Sequence, residues 1–240
     1  MKECIVVTGA NRGIGLACAR RLASEGHRVV NLDIDEPADD AQAFPFVKVD
    51  VRQPESVAEA FKRVADAHSI AGLVNNAGIA MAASLEKTTE DDLRRCLAVN
   101  LEGVIRCTQA ALASMKGLGR GRIVNIASRA ALGKENRSVY AATKGGVISL
   151  TRVWALELAP YRITVNAVGP GPAATELYRQ GNPDDSPAAR RLIESIPLGR
   201  IGEPDDVANA VAFFMDARSN YVTGQTLYVC GGLSVGANPM

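Results

Sequence analysis

The stretch from Cys4 to Glu25, CIVVTGANRGIGLACARRLASE, decides how the rest of the chain is read. A short, mostly β-branched run enters a turn carrying Gly9, Gly13 and Gly15, and from Ile14 onward the pattern is helical. A strand, a glycine-rich turn and a helix in that order put unpaired N–H groups and the positive end of a helix dipole at the turn. The glycines free the backbone, let it approach a pyrophosphate, and allow close packing of helix on strand. A phosphate-bearing nucleotide is the ligand that such an N-terminus suits.

Working outward, the alternation continues to the end of the chain. Candidate strands are CIVVTG, RVVNLD, PFVKVD, AGLVNN, GRIVNIAS, RITVNAV and TLYVCG, each apolar enough to be buried on both faces. Helical patterns lie near Ile14 to Glu25, Glu55 to Ala67, Asp91 to Met115, Ser138 to Leu158 and Asp205 to Met215. Strands alternating with helices mean βαβ units, so the expected fold is α/β: a doubly wound, Rossmann-like parallel sheet of seven strands with helices on both faces. Pro54 and Pro204 suit first helical positions, and Thr88-Thr89 lead into an acidic first turn. With no linker, repeat or low-complexity tract, residues 1–240 read as one domain.

Two places break the rhythm. Between Asp33 and Asp50 the intervening residues leave room for a loop or a single turn, not a crossover helix. Residues 172–203 are rich in Gly and Pro around a helix-like ARRLIESI, the composition of a substrate lid.

Bulk properties exclude several function classes. A net charge of +1 with both signs interspersed leaves no basic stripe for nucleic acid. No apolar run approaches the roughly 20 residues needed to cross a bilayer, and no secretory h-region follows Met1, so a cytoplasmic protein without membrane contact is expected. Cys4, Cys18, Cys96, Cys107 and Cys230 are scattered without a CxxC pair, and His27 and His68 lie in polar surroundings that suggest solvent exposure. Neither a disulfide framework nor a metal site is expected.

The glycine spacing is Gly-x3-Gly-x-Gly, not the common Gly-x-Gly-x-x-Gly. Together with NNAG at Asn75 to Gly78, a serine, Ser128, ending the fifth strand, and YAATK from Tyr140 to Lys144, it resembles the single-domain short-chain dehydrogenase/reductase family. The resemblance covers the whole chain, with Thr8 to Gly15, Asp50-Val51, Asn75 to Gly78, Asn100, Ser128, Tyr140, Lys144, and Pro170-Gly171 with Thr175 in the family's order. It implies a nicotinamide dinucleotide held by Thr8, Gly9, Asn11, Arg12, Gly13, Ile14 and Gly15, with Asp50 and Val51 at the adenine. Asn76, Ala77 and Gly78 would line the channel, and Pro170, Gly171, Ala173 and Thr175 would cover the nicotinamide.

Asp33 ends the second strand, where its carboxylate would accept hydrogen bonds from the ribose hydroxyls of NAD and repel the 2′-phosphate of NADP. Arg12 is the competing signal, so NAD is expected and NADP is the less favoured cofactor.

Hydride transfer at a carbinol carbon needs a partner for the hydroxyl proton. Tyr140 and Lys144, four residues apart, share one helix face, and a nearby ammonium favours tyrosinate. By the resemblance, Lys144 also holds the ribose, Ser128 orients the substrate oxygen, and Asn100 locally distorts its helix and supports a proton relay. The leading function is therefore an NAD(H)-dependent alcohol dehydrogenase or ketone reductase. Alternatives are a 3-oxoacyl-carrier-protein reductase, a dihydrodiol dehydrogenase and, from another class, a non-catalytic nucleotide-sensing module.

Ser128 and Tyr140 are twelve positions apart, one fewer than is commonest in the family, and the loop between them, RAALGKENR, is unusually charged. Leu177, Tyr178, Leu192 and Ile193 hint at a small apolar or cyclic substrate. Apolar residues on more than one face of the two long helices, Trp154 among them, suit a homotetramer or dimer, with the C-terminal TLYVCGGLSVGANPM as a further candidate interface.

Overall fold

Successive side chains of a strand point to opposite faces of its sheet. In β1 (Glu3–Thr8) this sends Cys4 and Val6 into the core on one side and Ile5 and Val7 into the core on the other. Both faces are therefore apolar, and both must be covered. The computed structural model, which describes residues 1–176, 178 and 187–235, shows how this is done.

Seven strands form one sheet in the order β3–β2–β1–β4–β5–β6–β7, with every neighbouring pair parallel. They are β1, β2 (Val29–Asp33), β3 (Phe46–Lys48), β4 (Ser69–Asn75), β5 (Gly121–Ile126), β6 (Ile163–Pro170) and β7 (Thr226–Val229). One face is covered by α2 (Pro54–Ala67), α4 (Gly103–Leu118) and α5 (Ser138–Leu158). The other is covered by α1 (Gly13–Ser24) and α7 (Pro204–Met215). Leu22, Leu32, Ile70, Leu73 and Ile123 are fully enclosed, each burial worth about 2 kcal/mol before chain entropy is charged against it. Among the described residues no helix is long and apolar enough to cross a membrane.

The strands also contain something their apolar character hid. Asn75 and Asn125 lie opposite each other in β4 and β5 with side chains wholly buried. Asn75 Nδ2 donates to Thr108 Oγ1 at 3.0 Å and to Asn125 Oδ1 at 2.8 Å, and Asn125 Nδ2 donates to Thr151 Oγ1 at 2.9 Å. This chain of bonds ties α4 and α5 to the centre of the sheet. Asn75 Oδ1 is buried without a partner, but the bonds that do form favour one arrangement and set the height of α5, which carries Tyr140 and Lys144.

The long helical pattern from Asp91 to Met115 is not one helix. α3 (Glu90–Leu97) passes into a π-helical turn (Ala98–Glu102) before α4 begins. Gly103 lets this bend press on the sheet edge, since a Cβ there would lie 2.9 Å from Val51 Cγ2. After Asp33 there is a single 3-10 turn (Asp39–Ala43), as the short spacing requires. Within 172–203 the expected helix occurs as α6 (Pro187–Ser195), while Leu177 lies outside the described residues, as do 236–240 of the C-terminal stretch. His68 differs from expectation: it is half-buried at the end of α2, with Nδ1 enclosed and unpartnered. All five cysteines are buried and free, and burial pushes the thiols of Cys4, Cys18 and Cys107 up to about 12.

A capping box starts α3: Thr89 Oγ1 accepts from the Asp92 N–H and the Asp92 carboxylate from the Thr89 N–H. Thr89→Ala should cost about 1 kcal/mol of stability. Chemical denaturation should show this as a lower midpoint with an unchanged slope.

Candidate active site

In a doubly wound sheet, the crossovers from β1 and β4 leave in opposite directions, opening a crevice at the carboxyl ends of the strands. Here a single cavity of about 600 Å³ runs along that edge, from Leu32, Asp33 and Asp50 at one end to Ser128, Tyr140 and Leu192 at the other.

The glycine turn forms its floor. Gly9 and Gly13 have φ of +68° and +56°, in the left-handed region that side chains resist. A Cβ on Gly15 would fall 2.1 Å from the Gly9 carbonyl oxygen and 2.5 Å from Asn76 Nδ2. The turn is held from beneath: Thr8 Oγ1 accepts the N–H groups of Asn76 and Ala77 at 3.0 Å, and Asn76 Nδ2 donates to the carbonyls of Thr8 and Gly9. Of the residues expected around the phosphates, Gly9, Arg12, Gly13 and Ile14 line the cavity. Thr8, Asn11 and Gly15 shape it without lining it. The positive-φ cradle at a helix N-terminus fits a dinucleotide pyrophosphate.

At the far end of β2, Asp33 lines the cavity with its carboxylate anchored. Oδ2 accepts the Asn11 N–H at 3.1 Å, and Oδ1 accepts the N–H groups of Ile34 and Asp35 at 2.8 and 3.3 Å. Asn11 is itself locked, accepting from Asn31 Nδ2 and donating to the Asp35 carbonyl. Arg12 Nη1 lies 3.8 Å from Asp35 Oδ2, so the competing cation leans on a second carboxylate. Asp50 and Val51 also line the cavity, but Asp50 is gripped by Arg52 at 2.7 Å, and that hydrogen bond holds its carboxyl below the usual range. Arg52, which the sequence gave no reason to single out, lines the same wall.

Ser128 follows β5 directly, and its Oγ accepts the Ala130 N–H at 3.1 Å, starting a short 3-10 turn (Arg129–Leu132). Tyr140 stands in the first turn of α5 and lines the cavity together with Ser128. Burial pushes the phenol up, and the Ser128 contact offsets this only in part. Lys144, one turn on, is 3% exposed and donates from Nζ to the Ile126 carbonyl at 2.7 Å. Its Nζ is 5.9 Å from the Tyr140 ring centre. Loss of hydration lowers Lys144 to about 8. The sequence expectation of a tyrosine lowered by its lysine is thus not met in the protein alone, where burial outweighs the lowering contacts.

Asn100 is fully buried in the π turn. Its Oδ1 accepts the Ile79 N–H and its Nδ2 donates to the Ile79 carbonyl, both at 2.9 Å, with Nδ2 also reaching Thr143 Oγ1 at 3.3 Å and Cys96 Sγ at 3.2 Å. The distortion of the helix is as expected, but the side chain acts as a clamp on the loop that follows NNAG. Gly78 lies between these groups: a Cβ there would sit 3.3 Å from Asn100 Oδ1 and 3.6 Å from Lys144 Nζ.

Pro170, Gly171, Ala173 and Thr175 line the opposite wall. An isolated bridge pairs Ala173 with Gly202, and Thr175 reaches across so that a Cβ on Gly13 would be 3.3 Å from its Cγ2. Ala130, Lys134, Tyr178 and Leu192 line the substrate end, as do Arg95, Arg129 and Arg137, so this end is cationic as well as apolar. Arg95, on an ordinary-looking helix face, carried no sequence signal; the loop cations were visible as charges but not as cavity walls.

The family model described as "Enoyl-(Acyl carrier protein) reductase" matches residues 9–234. A (2S)-((R)-hydroxy(phenyl)methyl)succinyl-CoA dehydrogenase subunit of Thauera aromatica is 40% identical over 240 residues, covering 96% of each chain. A 3-oxoacyl-acyl-carrier-protein reductase of Staphylococcus epidermidis is 36% identical over 246 residues, covering 97% of this chain and 99% of that one. Among solved structures, a gluconate 5-dehydrogenase of Burkholderia cenocepacia, in complex with NADP and tartrate, superposes with a TM-score of 0.91 at 36% identity, covering 98% of this chain and 96% of that one.

Proposed function

This chain belongs to the short-chain dehydrogenase/reductase family and is an oxidoreductase, and from that premise we propose that it interconverts a secondary alcohol and its ketone using NAD(H), with Tyr140 as general acid/base. The observation that carries the reading is the hydroxyl pair of Ser128 and Tyr140 at one end of a cavity whose other end is a nucleotide cradle. NAD supplies the hydride acceptor, or NADH the donor, when bound. Gly9, Gly13 and Ile14 hold its phosphates, and Asp33 its adenosine ribose. Ser128 Oγ receives the substrate oxygen, and Tyr140 Oη gives or takes the proton. Lys144 orients the ribose, and Asn100 fixes the wall behind it through Ile79. Residues 172–203 form the lid, and the working form is a cytoplasmic homotetramer or dimer.

A raised Tyr140 pKa keeps the phenol protonated at neutral pH, which suits its role as acid in ketone reduction. For alcohol oxidation the proton must leave, and the positive charge that an oxidised nicotinamide would bring, with that of Lys144, would favour its departure. A cofactor-linked screen of secondary alcohols and ketones, run with NAD(H) and NADP(H) side by side, tests the reading. Tight nucleotide binding with no turnover across the screen would instead support a sensing module.

The cofactor preference rests on Asp33. Asp33→Ala should lower the ratio of kcat/KM for NAD to that for NADP at least about tenfold, since removing a carboxylate near the 2′-phosphate relieves a repulsion worth more than 1 kcal/mol. An unchanged ratio would transfer the role to Arg12.

A 3-oxoacyl-carrier-protein reductase is the second reading, favoured by the basic residues at the cavity mouth, which suit an acidic carrier, and by the Staphylococcus epidermidis relative. Turnover of a 3-oxoacyl-CoA with NADPH, in preference to free ketones with NADH, would select it.

A further inference from the structure

The loop between Ser128 and Tyr140 sets its cations along the cavity wall, with Lys134 still exposed to solvent. Gly133 has φ +112° and Asn136 φ +56°, so the backbone reverses hand on either side of Lys134-Glu135. Lys134 consequently lines the cavity and Glu135 does not. The loop is fastened at both ends: Gly133 N–H donates to the Ala130 carbonyl at 3.0 Å, and Asn136 O accepts the Ala83 N–H at 3.1 Å, beside a bridge between Ala83 and Arg137. Arg137 lies three residues before Tyr140 at the start of α5, and Arg129 follows Ser128 directly. Both flank the two hydroxyls along the chain.

None of Arg129, Lys134 and Arg137 is in an ion pair among the described residues. The cavity's own carboxylates do not serve them. Asp33 is bonded to backbone N–H groups and Asp50 to Arg52, while Glu176 opens the lid on the facing wall. Like charges gathered on one cavity wall repel each other, and a bound anion relieves that repulsion. Partial burial at the mouth, with the neighbouring Arg137 and Arg129, pushes Lys134 below the usual lysine range.

We infer that the substrate carries a carboxylate, which Lys134 and Arg137 pair with while its hydroxyl or keto oxygen, several bonds away, meets Ser128 and Tyr140. The substrate class is then a small hydroxy acid or oxo acid, not a neutral alcohol. The inference rests on the oxidoreductase reading for the reacting end, but the anion site itself is defined by binding alone. Arg129 contributes long-range field, with its guanidinium directed to the Leu233 carbonyl at 3.4 Å. Apolar residues such as Leu192 then contact the carbon frame between the two ends.

The test uses the full chain with saturating NAD and an unreactive pair of probes, cyclohexanecarboxylate and cyclohexanecarboxamide, followed by thermal shift and titration calorimetry. The carboxylate should bind saturably and at least tenfold tighter than the amide. Lys134→Gln should remove most of that difference, and Lys134→Arg should keep it. Equal binding of acid and amide, or a preference that survives Lys134→Gln, overturns the inference. A CoA thioester that binds more tightly than the acid and is indifferent to Lys134→Gln overturns it in favour of phosphate recognition outside this wall. Cofactor-linked turnover of any hydroxy acid, oxo acid or neutral alcohol, measured separately, decides the Tyr140 reading without reference to these binding results.

Discussion

Tyr140→Phe is expected to lower kcat/KM by about 10³-fold, the range that a positioned acid/base supplies, while the protein stays folded and binds nucleotide. The substitution removes one oxygen. The ring that packs at the start of α5 remains, so thermal stability should stay close to wild type, and the cradle around Gly9 and Gly13 is untouched. What is lost is the proton donor held against Ser128. Because burial raises the phenol above the ordinary tyrosine value, the base form that alcohol oxidation needs is scarce at neutral pH, and oxidation by the wild type should still be rising with pH well into the alkaline range. Ketone reduction should not gain over the same range. Residual activity of the Phe variant should lose that pH dependence. A variant within tenfold of wild type, or one that keeps the alkaline rise, would remove Tyr140 from the chemistry.

Much of this site is legible in the chain. The sheet announces itself because strands buried on both faces must be written as apolar runs, and the glycines at 9, 13 and 15 announce themselves because only they tolerate the φ values and the 2.1 Å approach found there. Ser128, Tyr140 and Lys144 could be gathered because a strand end and one helix turn fix where they project. Other features were closed to sequence reasoning. Asn75 and Asn125 look like weak points in apolar strands until Thr108 and Thr151, distant in sequence, are seen to accept from their amides. The π turn at Asn100 is reached through the family resemblance alone: it has no periodicity of its own, since one extra residue in a turn leaves the flanking helical patterns intact. Which cations of RAALGKENR face the cavity depends on the left-handed backbone at Asn136, a residue type that also adopts ordinary conformations.

Lys144 carries the second large prediction, because it couples stability to function. It is enclosed, and its ammonium has one backbone carbonyl, that of Ile126, in place of bulk water. A lysine lowered from 10.5 to about 8 opposes folding whenever it is charged. The unfolded chain binds the extra proton between about pH 8 and 10.5, so unfolding free energy rises with pH across that window. Below pH 8 the penalty is complete, roughly 3 kcal/mol from the linkage relation for a shift of this size. Lys144→Met removes the titrating group. Its stability relative to wild type should therefore be most favourable near pH 7 and fall steadily toward pH 10, as measured by denaturant unfolding of the cofactor-free proteins at a series of pH values. A difference that does not vary with pH would mean that the ammonium is better solvated than its burial implies. The same variant should lose about 10²- to 10⁴-fold in kcat/KM, since Tyr140 would then meet the oxidised nicotinamide without a neighbouring cation to favour its anion. A protein that is no less stable at neutral pH yet nearly inactive is the signature of a charge retained for chemistry against the preference of the fold.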